Sequence, residues 1–177
     1  MGNKWFRDDR GASLVELAFA LPLLIMLLVG MVSAGIAYNH QLSLTHAARE
    51  GGRYGATLPV NPGMMDDWLE TVINQTVADA TGTLDSGVPG RYVCVAYVHP
   101  NGTAAGDTTT RRILNTSGLQ GSQGGQQCFT GNDNRPDSER RVQIVVGRDT
   151  EFTVVFFASQ LNLDAEAVNR FEAALGS

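Results

Sequence analysis

Between Leu17 and Tyr38 the chain carries no charged residue, and Leu, Ala, Val, Ile, Met and Gly dominate the run. About 20 such residues in a helix cross the roughly 30 Å hydrocarbon layer of a bilayer. A cleaved secretory signal has a shorter apolar region that ends in a small-residue site. Here the apolar run is too long for that, and it passes without punctuation into YNHQLSLTHAAREGGRYGA. Tyr38, Leu42, Thr45 and Ala48 then fall at three- and four-residue spacing. The pattern predicts a single helix from about Ser13 to about Ala56, apolar all round in its first half and amphipathic in its second. The membrane-spanning part is placed at about residues 17–38. Pro22 falls early in this helix and is expected to bend it rather than end it. Lys4, Arg7 and Arg10 precede the apolar run, and Arg49 and Arg53 follow it. Counting basic residues alone puts the N-terminus on the cytoplasmic side by a slim margin.

At the start of the apolar run stands RGASLVE, with Glu16 close to lipid and just after a Gly11-Ala12 bond. Read as a precursor, Arg10-Gly11 ends a short charged leader, and Glu16 becomes the fifth residue of the mature chain. This arrangement resembles the class III signal of type IV pilins and pseudopilins, which a membrane-embedded prepilin peptidase cuts after the glycine. The longer stretch RGASLVELAFALPLLIMLLVGMVSAGIAYNHQLSLTHAAREGGRYGA is similar to the N-terminal domain of the TadE-like family, minor pilins or pseudopilins of the tight-adherence (Flp) pilus machinery. The resemblance is carried by the Gly11/Glu16 junction, by Leu21-Pro22-Leu23, and by Ala47-Ala48-Arg49-Glu50-Gly51-Gly52-Arg53-Tyr54. It implies a leader at 1–11, an assembly helix at 12–57 and an extracytoplasmic domain at 58–177. The implied partners are a prepilin peptidase, other pilin subunits, the inner-membrane assembly machinery and membrane lipid. The alternative is an uncleaved single-pass protein whose outer domain binds a ligand or surface.

The chemistry at the junction can also be argued from the residues. Gly11 offers a scissile bond without a side chain. Cleavage would leave a cationic amine on Ala12, and Glu16 stands four residues away on the same helical face. The positive end of the helix dipole favours a carboxylate there. Both effects reduce the cost of the charge below the roughly 2.5–3.5 kcal/mol of a helix-centre position. In a bundle of subunits, the resemblance implies that Glu16 pairs with a neighbouring amine and sets axial register. Small pairs at four-residue spacing, Gly30 with Ala34, Ser33 with Ala37, and Gly51 with Gly55, suit close helix packing.

In the polar remainder, Trp68, Leu69, Val72, Ile73, Thr76, Val77 and Ala80 predict an amphipathic helix, with Asp66, Asp67 and Glu70 in its first turns and Gly82 at its end. Asn61-Pro62 reads as a turn or helix start. Arg91–His99 predicts a strand between Pro-Gly and Pro-Asn-Gly punctuation. Gly102–Gln127 has no periodicity and predicts a long flexible loop. Arg141–Val146 and Glu151–Phe157 predict two further strands joined through Gly147-Arg148-Asp149-Thr150. At the C-terminal end the spacing of Leu163, Ala167, Val168, Phe171, Ala174 and Leu175 is helical, whereas the closing LNLDAEAVNRFE resembles the family's usual final strand. A strand over Ala165–Phe171 is preferred. The fold class expected is α+β: a long N-terminal membrane helix, then a small domain with a helix and an antiparallel sheet, as in type IV pilins.

The two cysteines, Cys94 and Cys128, both follow the membrane segment. An even count in an exported domain points to a disulfide worth about 3–4 kcal/mol by chain entropy; the competing reading is two buried thiols. The net charge of −5 and the scattered basic residues argue against nucleic acid as a partner. His40, His46 and His99 lie apart, and no hydrolase triad order, HExxH or phosphate loop occurs. Neither an enzyme activity, a cofactor nor a metal is expected. Asn132, Asp133, Asn134, Asp137 and Glu139 gather oxygen ligands but fit no EF-hand, so they read as a solvated turn before a Ca²⁺ site. Asn74, Asn101 and Asn115 each open an N-x-S/T triplet, a pattern with a high chance rate.

Overall fold

The computed structural model describes residues 9–60, 64–98, 109–120, 140–154 and 157–171. Helix α1 runs unbroken over Asp9–Thr57 and continues through Pro22. Its Leu-, Ala- and Met-rich composition suits a helix intrinsically. Helix α2, Met65–Asp79, carries Asp66 and Asp67 in its first turn and buries Trp68, Leu69, Val72, Ile73 and Thr76. The acids there meet the positive end of the helix dipole. After α2 the chain turns through Thr81 and Gly82, both with positive φ.

Five strands follow: β1 (Tyr92–Val98), β2 (Thr109–Asn115), β3 (Gly118–Gln120), β4 (Arg141–Val154) and β5 (Phe157–Arg170). They form one sheet in the order β3-β2-β1-β4-β5. Every neighbouring pair is antiparallel. Helix α1 lies along β4 and β5 and also packs on α2. The fold is therefore α+β, with two helices on one face of an antiparallel sheet.

The core is shared by both helices and the sheet. Leu44, Ala47 and Ala48 of α1 join Leu69, Val72 and Ile73 of α2, Val93 and Val95 of β1, Val142, Ile144 and Val146 of β4, and Ala165 and Ala167 of β5. Even-numbered residues of β4 point into it, as the two-residue period of a strand requires. Trp68, Tyr97 and Phe171 close one end, with Trp68 and Tyr97 edge-to-face at 5.8 Å. Burial there pushes the Tyr97 hydroxyl above its usual pKa, partly opposed by Arg140.

The turn after α2 is latched to both sides of the domain. Ser43 Oγ donates to the Ala80 carbonyl at 2.9 Å, and Thr83 Oγ1 donates to Ser43 Oγ at 3.0 Å. Arg148 Nη1 donates to the Thr83 carbonyl at 3.0 Å, and Arg91 Nη1 to the Leu84 carbonyl at 2.7 Å.

Two expectations are corrected. The stretch Gly102–Gln127 is not a featureless loop, since β2 and β3 lie within it. Strand β2 buries Ile113 and half-buries Leu114, too few apolar side chains to show alternation. Its place in the sheet comes from backbone pairing with the β1 edge along all seven of its positions. A local turn signal existed at Asn115-Thr116-Ser117-Gly118, where the Ser117 amide donates to Asn115 Oδ1 at 2.8 Å and Gly118 takes φ +104°.

The second correction is at Gly147–Thr150, which is not a hairpin turn. Strand β4 continues through it to Val154, and the reversal falls between the register partners Val154 and Phe157. Glycine is needed at 147 because a Cβ there would run into the Tyr92 ring. Asp149 is held in line by its amide, which donates to the Pro89 carbonyl at 3.0 Å, and by its carboxylate, which accepts from Asn162 Nδ2 at 2.9 Å. At the C-terminal end the strand reading holds, within a β5 that starts eight residues earlier than expected, at Phe157. Asn61-Pro62, His99, Asn101 and the acidic loop Asn132–Glu139 lie outside the described residues.

Candidate membrane and assembly interface

Among the described residues, the part of α1 before Gly30 stands clear of the rest of the molecule. Leu14, Leu17, Phe19, Leu23, Leu28 and Met31 are all exposed. The most apolar window of the helix is wholly unburied. Exposed apolar surface on this scale marks a contact with lipid or protein, and its length and composition suffice to cross a membrane. Glu16 sits on this exposed section, and among the described residues it has no ion-pair or hydrogen-bond partner. Gly11 is exposed, and among the described residues nothing lies within 4 Å of where a Cβ would stand. Ala12 follows it within the same helix.

One face of α1 is different. Gly30 lies 4.0 Å from Val154 Cγ2, measured from where a Cβ would stand. Ser33 Oγ donates to the Thr153 carbonyl at 2.7 Å. Ala37 is buried. His40 Nδ1 and the Thr150 hydroxyl share a hydrogen bond of 3.3 Å, and Gln41 Nε2 donates to the Asp164 carbonyl at 2.8 Å. These positions recur at three- and four-residue spacing, so they form one stripe. The β4–β5 hairpin therefore extends past the core and lies along α1 as far as Gly30.

Higher on the same stripe, the glycines make their close approaches within the chain. A Cβ on Gly51 would collide with the Thr76 hydroxyl and stand 3.0 Å from Thr76 Cβ and 3.2 Å from Ile144 Cδ1. At Gly55 it would meet Val72 Cγ2 at 3.2 Å and Val142 Cγ2 at 3.3 Å. Ala34 stays exposed and is available to a partner. The polar members of the stripe, Ser33, His40 and Gln41, were missed as positioning residues in the sequence. Their spacing from Gly30 was the available signal.

Cys94 is fully buried on β1, packed with Ile113 and Val145 on the sheet face away from the helices. It is engaged in a disulfide. Cys128 lies outside the described residues. Among the described residues no three His, Cys, Asp or Glu side chains gather as a metal site.

These features define an α+β protein with a long apolar helix that fits a membrane anchor, its soluble half built into the domain core. Residues 11–53 match the family model described as TadE-like protein. The matched stretch starts at Gly11 and ends within the last turns of α1. No curated protein and no solved structure gives a match.

Proposed function

We propose that this chain is a minor pilin or pseudopilin of a tight-adherence pilus system. The observation that carries the reading is the family match over residues 11–53, which opens on the glycine of the Gly11-Ala12 junction. In this reading residues 1–11 are a leader, α1 holds the protein in the cytoplasmic membrane, and the domain lies outside the cytoplasm. A prepilin peptidase cuts after Gly11, an exposed residue without a side chain. The new Ala12 amine and Glu16 then stand one turn apart at the lipid boundary. Glu16, without a partner among the described residues of its own chain, is free to meet the amine of a neighbouring subunit and fix axial register. The exposed side of the apolar helix, including Ala34, supplies the packing surface in lipid or in a filament. The protein acts by assembly and contributes to surface adhesion; no catalytic role is assigned.

N-terminal sequencing of the protein purified from its native host is the direct test. The expected mature chain begins at Ala12. A chain that begins at Met1 or Gly2 overturns the processed-pilin reading and leaves an uncleaved membrane protein with an outer binding domain.

The disulfide of Cys94 is assigned to Cys128, the only other cysteine in the sequence, which fits a domain outside the reducing cytoplasm. Non-reducing peptide mapping is expected to recover the two segments as one linked species. Cys94→Ser is expected to lower stability by about 2–5 kcal/mol in denaturant unfolding. Recovery of two free thiols from the native protein would remove this assignment.

A further inference from the structure

We infer that the far end of the β4–β5 hairpin, at the register pair Val154 and Phe157, is a second membrane contact, resting at the outer boundary of the bilayer and setting the depth of α1. The inference rests on the reading that α1 crosses a membrane, and it adds a site on a different part of the chain.

Strand β4 runs from the core toward the N-terminal end of α1. Its partners along the helix descend from Gly55 at Val142, through His40 at Thr150, to Gly30 at Val154. The hairpin therefore points at the membrane. From Phe152 to Leu163 it carries no charge, and Glu151 and Asp164 bracket that segment. Strand partners share a face, so Val154 pairs with Phe157, and Thr150 with Leu161, on the side that meets α1. Phe157 is 77% exposed and Leu161 44%, although both belong to the apolar face of the hairpin. The opposite face holds Gln160, Asn162 and Asp164, all exposed. An amphipathic element with an uncovered phenylalanine beside a lipid-facing helix has the chemistry of a bilayer interface, where apolar side chains reach about 5–10 Å inward.

Backbone pairing limits how deep this end goes. Among the described residues, β4 has no second strand partner beyond Gly147, and β5 is an edge throughout. Open sheet edges cost several kcal/mol for each unsatisfied group in hydrocarbon. A bilayer reaching up to Tyr38 would submerge this end by about 12 Å at the helical rise. A boundary level with Gly30 keeps the described hairpin backbone among the headgroups and admits, among the described residues, the side chains of Phe157, Val154 and Phe152. From Gly30, a hydrocarbon layer of roughly 30 Å then ends near Ala12, because that length of helix spans about 27 Å. The hairpin contact and the Gly11-Ala12 junction thus fall on opposite faces of one bilayer. Arg148, Asp149 and Asp164, near the level of His40 and Gln41, remain in water.

Depth-dependent quenching tests this in the full chain, reconstituted in phosphatidylcholine–phosphatidylglycerol vesicles with brominated acyl chains. Three tryptophan reporters are introduced into a Trp5→Phe parent, whose remaining native Trp68 is buried in the core, and are compared with that parent: Phe157→Trp at the far end of the hairpin, Leu24→Trp in the helix, and Glu166→Trp on the outer face of β5. Bromine near the carbonyl end of the acyl chains is expected to cut the Phe157→Trp emission by about half, as for an interfacial side chain. Bromine near the chain ends is expected to quench Leu24→Trp alone, and Glu166→Trp is expected to be unaffected. Quenching of Leu24→Trp without Phe157→Trp would overturn the hairpin contact while leaving the anchor in place. Quenching of neither would overturn the anchor, and the hairpin contact with it. A Phe157→Trp emission indifferent to bromine but dependent on protein-to-lipid ratio would assign the far end of the hairpin to a second copy of the chain, which also overturns the proposal.

Discussion

The fragment 58–177, made without α1, is expected to remain unfolded. The sheet and α2 do not close a core between them: Leu44, Ala47 and Ala48 of α1 form part of its wall and are 0% exposed. Gly51 and Gly55 bring the α1 backbone itself against Thr76, Val72, Ile144 and Val142. Loss of the Leu44 side chain alone costs about 2–5 kcal/mol, a large share of the roughly 5–15 kcal/mol by which domains are stable. Removing the whole helix also strips Ser43 from the Ala80 carbonyl and Gln41 from the Asp164 carbonyl. A fragment that begins near Ile36 retains this wall and omits most of the apolar anchor, so it is expected to fold. Amide dispersion and a cooperative thermal transition in the longer fragment, with neither in the shorter, is the outcome to look for. A cooperative transition in 58–177 would show that α1 is accessory to the domain.

Gly51→Leu is expected to be the most damaging single substitution on α1. The Thr76 side chain that blocks a Cβ there is short and β-branched, and its hydroxyl already donates to the Val72 carbonyl at 2.7 Å. It cannot swing aside as a long side chain would, so α2 must move off α1. Overpacking of this kind costs about 1–3 kcal/mol, occasionally more. The gain of about 1 kcal/mol from removing a helical glycine offsets only part of that. At Gly35, where a Cβ would meet nothing within 4 Å, the same propensity gain stands alone. Thermal unfolding in detergent should therefore show a lowered midpoint for Gly51→Leu and none for Gly35→Ala. Thr76→Ala is expected to recover part of the loss in the Gly51→Leu background and to raise the midpoint little in the parent. Equal midpoints for Gly51→Leu and the parent would mean that α1 and α2 are less closely apposed than described.

Much of this architecture was legible in advance wherever one physical signal dominated. The uncharged run and the spacing that follows it define α1, and α2 shows a clean apolar face because it covers a core on one side. Strand β1 is apolar on both faces, since Val93 and Val95 meet the helices while Cys94 packs behind the sheet. Strands β2 and β3 escaped notice because little of their stability comes from side chains; they are placed by backbone pairing that no composition reveals. The Gly147-Arg148-Asp149-Thr150 segment imitates a turn, yet each residue has a tertiary reason to be there: space for Tyr92, a bond to Thr83, a bond to Pro89, a bond to His40. The candidate site divides in the same way. Gly11 and Glu16 form a local motif that a sequence displays directly. The clamp of Ser33, His40 and Gln41 on the hairpin depends on β4 running on to Val154, a tertiary fact.

The unbroken course of α1 from Asp9 to Thr57 has a mechanical consequence. At the helical rise its 49 residues form a rod of about 74 Å, with no linker between the apolar end and the packed domain. Force applied at the N-terminal end passes straight into the hydrophobic core through Leu44 and Ala47, with no slack to take up first. Axial displacement of the helix would lift the sheet by the same distance, and tilting it would swing the domain as a lever arm. A subunit built this way moves as one piece.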